Sequence, residues 1–174
     1  MTEEQRELCR KLVMFPDGKR RITKEEFLRR FPSAVECDGL ATKWLHDACE
    51  TRNADDLCCA FVIGGSFGFA PEHKDIICRL IDEDWHYCHE SVVELLSKLW
   101  PTADTVEALF HATQWIPTSL EYDDARALAV KAIWALGKIP GSEAEAKLEI
   151  LARSDNPILR NGAVEQLERR HKTA

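Results

Sequence analysis

The chain has 174 residues, a formal net charge of −7, 45% hydrophobic and 30% charged residues. That length can bury a sizeable core, while no apolar run approaches the roughly 18 residues a membrane span needs. The start, MTEEQRELCRK, carries no apolar signal core, and the acidic balance (pI near 5.4) disfavours nucleic acid or an anionic membrane as partner and suits a basic protein.

The first 36 residues are expected to form a helical cap, domain 1–36. Thr2 with Gln5, and Thr23 with Glu26, have the spacing of capping boxes for two short helices. MFPDGKRRI between them supplies a Pro-Asp-Gly turn. DGKRRITKEE is not a calcium loop: only Asp17 precedes Gly18, and three cations fill positions where oxygen ligands belong.

From 37 onward apolar residues recur at helical spacing, and the expected fold class is all-α. Four aspartates set one register. Asp55 leads Cys59, Ile63 and Phe67; Asp84 leads Cys88, Val92 and Leu96; Asp124 leads Leu128, Ala132 and Leu136; Asp155 leads Leu159, Ala163 and Leu167. Each series is predicted to be an N-cap heading the buried stripe of a helix. LCCAFVIG alone could pass as a strand, but it shares the register of the later segments. A second amphipathic segment lies upstream of each aspartate, so four helix pairs are expected, at 40–67, 72–99, 104–138 and 143–170. Such pairs bury their faces by stacking into an α-solenoid, here domain 37–174.

The stretch DEDWHYCHE, 82–90, is dense in functional groups. In this register Asp84 is a cap and Cys88 a core residue, with His86 and His89 to either side. Zinc wants four converging ligands; Cys78 is the only nearby addition and His46 with Cys49 is a single pair, so no metal or other cofactor is expected. No G-x-S-x-G elbow, P-loop or H-E-x-x-H is present. Gly64-Gly65 reads as a close helix contact, and Cys58-Cys59 has no base at hand, so no enzyme is expected. The seven cysteines (Cys9, Cys37, Cys49, Cys58, Cys59, Cys78 and Cys88) lie in helical patterns and read as reduced, buried thiols of a cytoplasmic protein.

The segments ALAVKAIWALGKIPGSEAEAKLEILA (127–152) and DNPILRNGAVEQLERR (155–170) resemble HEAT repeats, with Asp155 opening the second helix and Leu159-Arg160 as the apolar-Arg pair. Ala129 and His89 stand where the other units would carry that Arg, so the family's Asp–Arg ladder is not complete. PDGKRRITKEEFLRRF, FGFAPEH, DWHYCHE, YDDARALAVKAIWALG and SDNPILR together resemble short bacterial HEAT-like proteins related to the bilin-lyase type. Such proteins recur among the immunity proteins of polymorphic toxin systems. The resemblance implies a non-enzymatic protein that binds and blocks a cognate toxin. A general scaffold or adaptor, and a lyase-like or chaperone role on a chromophore protein, are the alternatives.

In a stack of helix pairs the loops joining first to second helix share one edge. That edge would gather acids and aromatic anchors suited to a basic protein partner: Asp82, Glu83, Trp85, His86, Trp115, Glu121, Tyr122 and Asp123. Insertions in repeats often mark a binding face, and the third unit carries extra residues around ATQWIPTSLEYDD. The rival surface is the groove lined by second helices, with Glu94, Lys98, Lys131 and Trp134.

Overall fold

A computed structural model describes residues 1–13, 18–35 and 41–173. The described residues are helical, with no strand among them. Pro16 and Asp17 of the Pro-Asp-Gly turn, Cys37 and the expected boundary at 36/37 lie outside them. The chain falls into two compact units, Met1–His73 and Lys74–Ala174.

In the first unit, α1 (Glu3–Leu12) opens with the complete capping box: Thr2 Oγ1 accepts from the Gln5 N–H at 3.3 Å, and Gln5 Oε1 accepts from the Thr2 N–H at 2.8 Å. Thr23 caps α2 (Lys24–Arg30), accepting from the Glu26 N–H at 3.1 Å. Helix α3 (Thr42–Thr51) and α4 (Ala54–Phe67) follow. Leu8, Leu12, Phe27 and Phe31 are buried with Cys59 and Ile63 of α4 in one core. An ion pair pins α1 onto α4. Asp56, 8% exposed, takes Arg6 Nε at 2.7 Å and the Met1 amine at 2.7 Å. LCCAFVIG lies wholly inside α4.

Gly64 is required near the end of that helix. A Cβ there would come within 2.4 Å of the Phe69 ring, which folds back over α4 from the segment after it, whereas a Cβ on Gly65 would meet nothing within 4 Å. The close approach is thus between a helix and the chain that leaves it, not between two helices.

The second unit contains α5 (His73–Arg79, from Lys74), α6 (His89–Leu99), α7 (Val106–His111), α8 (Arg126–Lys138), α9 (Ser142–Leu151) and α10 (Pro157–Thr173). Helix α8 packs on α6 and on α10, and α7 and α9 pack against α8 and each other. The spacing at four is visible in the core. Val92 and Leu96 of α6, Leu128, Ala132 and Leu136 of α8, and Ala163 of α10 are all 0% exposed.

The aspartates do not head those stripes as N-caps, and this corrects the sequence reading. Helix α4 is capped by Asn53, whose Oδ1 accepts from the Asp56 N–H at 2.9 Å. Helix α6 begins after Cys88, with no side-chain cap. Asp124 is left-handed, and it is Asp123 whose Oδ2 reaches the Ala127 N–H of α8, at 3.4 Å. At α10, Asn156 Oδ1 accepts from the Ile158 N–H at 2.9 Å. A period of four fixes which residues are buried, but a polar residue anywhere in the preceding loop matches it equally well. Which one caps depends on where the loop turns.

Candidate interaction surface

All eight residues of the expected partner edge lie in the second unit, on two loops, 82–90 and 112–124. Three side chains tie the first loop to the second and to His111 at the end of α7. Asp84 accepts from the Thr118 N–H at 2.8 Å and from the Thr118 hydroxyl. Asp82 Oδ1 lies 2.6 Å from His111 Nδ1. The Trp115 ring meets His89 edge-on, with centroids 5.2 Å apart, and stacks on His111 at 6.0 Å. Asp84 therefore serves as a clasp between loops rather than as a helix cap. The bonds from Thr118 hold its carboxyl below the usual carboxylate range.

Beneath the clasp His86 and His89 stack at 4.2 Å, and Trp85 meets His86 edge-on at 5.0 Å. The backbone fixes the tautomer of His86. Its Nδ1 accepts from the Cys88 N–H at 3.1 Å, so the proton is on Nε2, which donates to the Leu80 carbonyl at 2.9 Å. A second proton on Nδ1 would face another donor. Burial, with the neighbouring His89, pushes the His86 pKa down to about 4. His89 is wired alike, with Nε2 on the Glu83 carbonyl at 3.0 Å; burial lowers its pKa too, and its Nδ1 has no hydrogen-bond partner. Both imidazoles are neutral, structural groups.

His86, at 2% exposed, is therefore buried rather than presented to a partner; it supports the loop from beneath. Asp123 is half-buried and occupied with α8. Trp85 and Trp115 are half-buried, each presenting part of a ring, and Glu83 is half-buried with its carbonyl on His89. Asp82 and Glu121 are exposed, and Tyr122 is 79% exposed. Tyr87, at 55%, belongs to the same surface.

On the rival face Glu94 and Lys98 are exposed and Trp134 is 38% exposed, with two contacts between helices beside them. Lys131 of α8 pairs with Glu90 of α6 at 2.8 Å, and the Arg169 guanidinium of α10 covers Trp134 at 4.1 Å. Arg160 donates to the carbonyls of Ser154 at 2.8 Å and Asp155 at 3.2 Å, bracing its own loop.

Beside the clasp lies a feature the sequence does not announce: a trough of about 800 Å³ between residues 113–116 and 150–159. Its apolar members, among them Trp115, Ile116, Ile150 and Leu151, come from separate segments with no shared motif, and polar side chains such as Gln114, Arg126 and Asn156 stand between them. Among the described residues no three His, Cys, Asp or Glu side chains converge as metal ligands. Burial pushes the half-buried Cys78 thiol up to about 11, which leaves it protonated near neutrality.

No protein-family model matches the chain, and no curated protein and no solved structure shows significant similarity to it.

Proposed function

We propose that this chain is a HEAT-like helical-repeat module that works by binding a protein. In our reading it is a non-enzymatic immunity protein that neutralises a basic toxin domain inside the cytoplasm. The observation that carries the reading is the clasped pair of loops, with exposed Asp82, Glu121, Tyr87 and Tyr122 over a fixed aromatic and imidazole layer. Acids around rigid aromatic anchors suit a cationic partner, because the anchors lose little side-chain entropy on docking and the carboxylates steer encounter. The alternation of α6, α8 and α10 with α7 and α9 supports the repeat reading, as does the resemblance of 127–152 and 155–170 to HEAT units.

The test is affinity capture from native cells with the tagged protein, mass spectrometry of what is retained, and co-expression of the recovered partner with and without this chain. One tight partner that is toxic alone and harmless in co-expression is the expected result. A recovered partner whose toxicity is unaffected sinks the immunity reading.

A further inference from the structure

The trough beside the clasp has the build of an anchor pocket. Its floor is apolar and shielded: Ala125 and Leu151 are 2% exposed and Ala129 is 6%. Its two lips are large aliphatic side chains left open to solvent, Ile116 at 47% and Ile150 at 52%. One wall is Trp115, whose ring His89 and His111 fix from behind. The volume, about 800 Å³, is in the range of small-ligand sites and ample for one or two side chains.

The backbone is strained to form the floor. Asp124 (φ 54°) and Ala125 (φ 50°) are consecutive left-handed residues, neither of them glycine. Backbone strain of this kind concentrates where a site is held in shape. Of the charged side chains, Asp124 and Arg126 line the trough itself, and the bordering loops add Asp82, Asp84, Glu121 and Asp155 against Arg153 and Arg160. The surroundings are thus net acidic, like the chain at −7.

We propose that this trough seats an apolar side chain from a basic segment of a protein partner, with Ile116, Trp115 and Ile150 gripping the side chain and the bordering carboxylates taking the flanking Lys or Arg residues. The proposal rests on the protein-binding reading above and gives it a place. An apolar anchor supplies the desolvated centre that an acidic rim alone lacks, since exposed charge pairs contribute little by themselves.

The experiment uses the full chain and three panels of synthetic peptides. In the first, a central Phe, Leu or Ile is flanked by Lys and Arg; in the second the flanks are Glu and Asp; in the third the flanks are basic and the centre is Ser. Binding is read by amide chemical shifts and tryptophan fluorescence. The first panel is expected to bind best, shifting Ile116, Ala125 and Ile150. Ile150→Glu and, independently, Ile116→Ser weaken binding by about tenfold or more, while Val164→Glu on α10 changes it by less than about twofold. Unchanged melting of each variant confirms the fold.

Basic peptides that bind regardless of Ile150→Glu and Ile116→Ser, yet are weakened by Asp82→Lys with Glu121→Lys, overturn the trough and leave the acidic-edge reading standing. Binding that depends on Ile150 but is indifferent to the sign of the flanks, or stronger with acidic flanks, overturns the basic partner. Failure of all three panels overturns the proposal outright.

Discussion

Acidification tests the buried imidazole layer most directly. His86 is neutral in the folded chain, with its pKa near 4, and in the unfolded chain it takes a proton near its ordinary value of 6.5. Because the folded value is the lower one, the unfolded state binds the extra proton first as pH falls. The stabilisation is therefore present above about pH 6.5, erodes through the window from 6.5 to 4, and stops eroding below about 4. Linkage gives a loss of about 2 kcal/mol at about pH 5, rising to a limit of about 3 kcal/mol. His89 shifts the same way and adds to the slope. The lowered carboxyls, Asp84 and Asp104 in this unit, have ordinary values of 3.8 and act at lower pH, so the two effects separate on the pH axis. Urea unfolding followed by tryptophan fluorescence suits the measurement, because four of the five tryptophans lie in the second unit. The control is His86→Asn, whose amide oxygen can keep the bond from the Cys88 N–H but cannot be protonated. The variant begins less stable, having lost the donation to Leu80, but its stability falls by about 2 kcal/mol less between about pH 7.5 and pH 5. Equal slopes in the two proteins would refute the buried, neutral assignment of His86.

Gly64 and Gly65 form a matched pair in one helix. Gly64→Ala drives a methyl into the Phe69 ring and should lower stability by about 1–3 kcal/mol, whereas Gly65→Ala, facing open space, should raise it by up to about 1 kcal/mol in thermal melts. Asp56→Ala removes the acceptor of both Arg6 and the Met1 amine. Burial alone would raise the Asp56 pKa, but those two bonds outweigh it and hold it low; the loss should be about 1–3 kcal/mol, and amide exchange in α1 should rise before that in α8. The triple reversal of Asp82, Glu83 and Glu121 to Lys should leave the melting temperature within a few degrees and abolish retention of the captured partner, the retention being read at two salt concentrations. Asp123 is left out of that set because its carboxylate holds the start of α8.

Much of the fold was legible because helix periodicity is a statement about burial. Val92, Leu96, Leu128, Ala132, Leu136 and Ala163 were named from spacing alone and are fully enclosed. The helix starts were not legible to the same degree. In NADD, in YDDA and in SDNP several residues can each accept a backbone N–H, and sequence has no means of weighing them. The chain uses Asn53, Asp123 and Asn156, each within two positions of the residue that periodicity favoured. The Gly64 contact was legible as a close approach but not as to partner, since Phe69 reaches it through a turn whose direction no pattern encodes.

The surface was legible in composition and not in depth. DEDWHYCHE advertises eight polar or aromatic side chains, and from sequence each is as available as the next. The structure divides them by one fact: the loop turns inward at His86, so that His86, Cys88 and His89 go under and Asp82, Tyr87 and part of Trp85 stay out. That inward turn is fixed by two carbonyls, Leu80 and Glu83, receiving imidazole N–H groups. A histidine in an acidic loop invites a reading as ligand or contact, yet here the acids lie outside and the imidazoles pair with backbone. The consequence for binding is direct. If the loop owes its shape to neutral His86 and His89, then protonating them loosens the clasp that positions Asp82, Asp84 and Trp115. Partner affinity should then weaken along the same pH window as stability, and His86→Asn should flatten both curves together. Affinity that is flat with pH while stability falls would separate the loop from the docking surface.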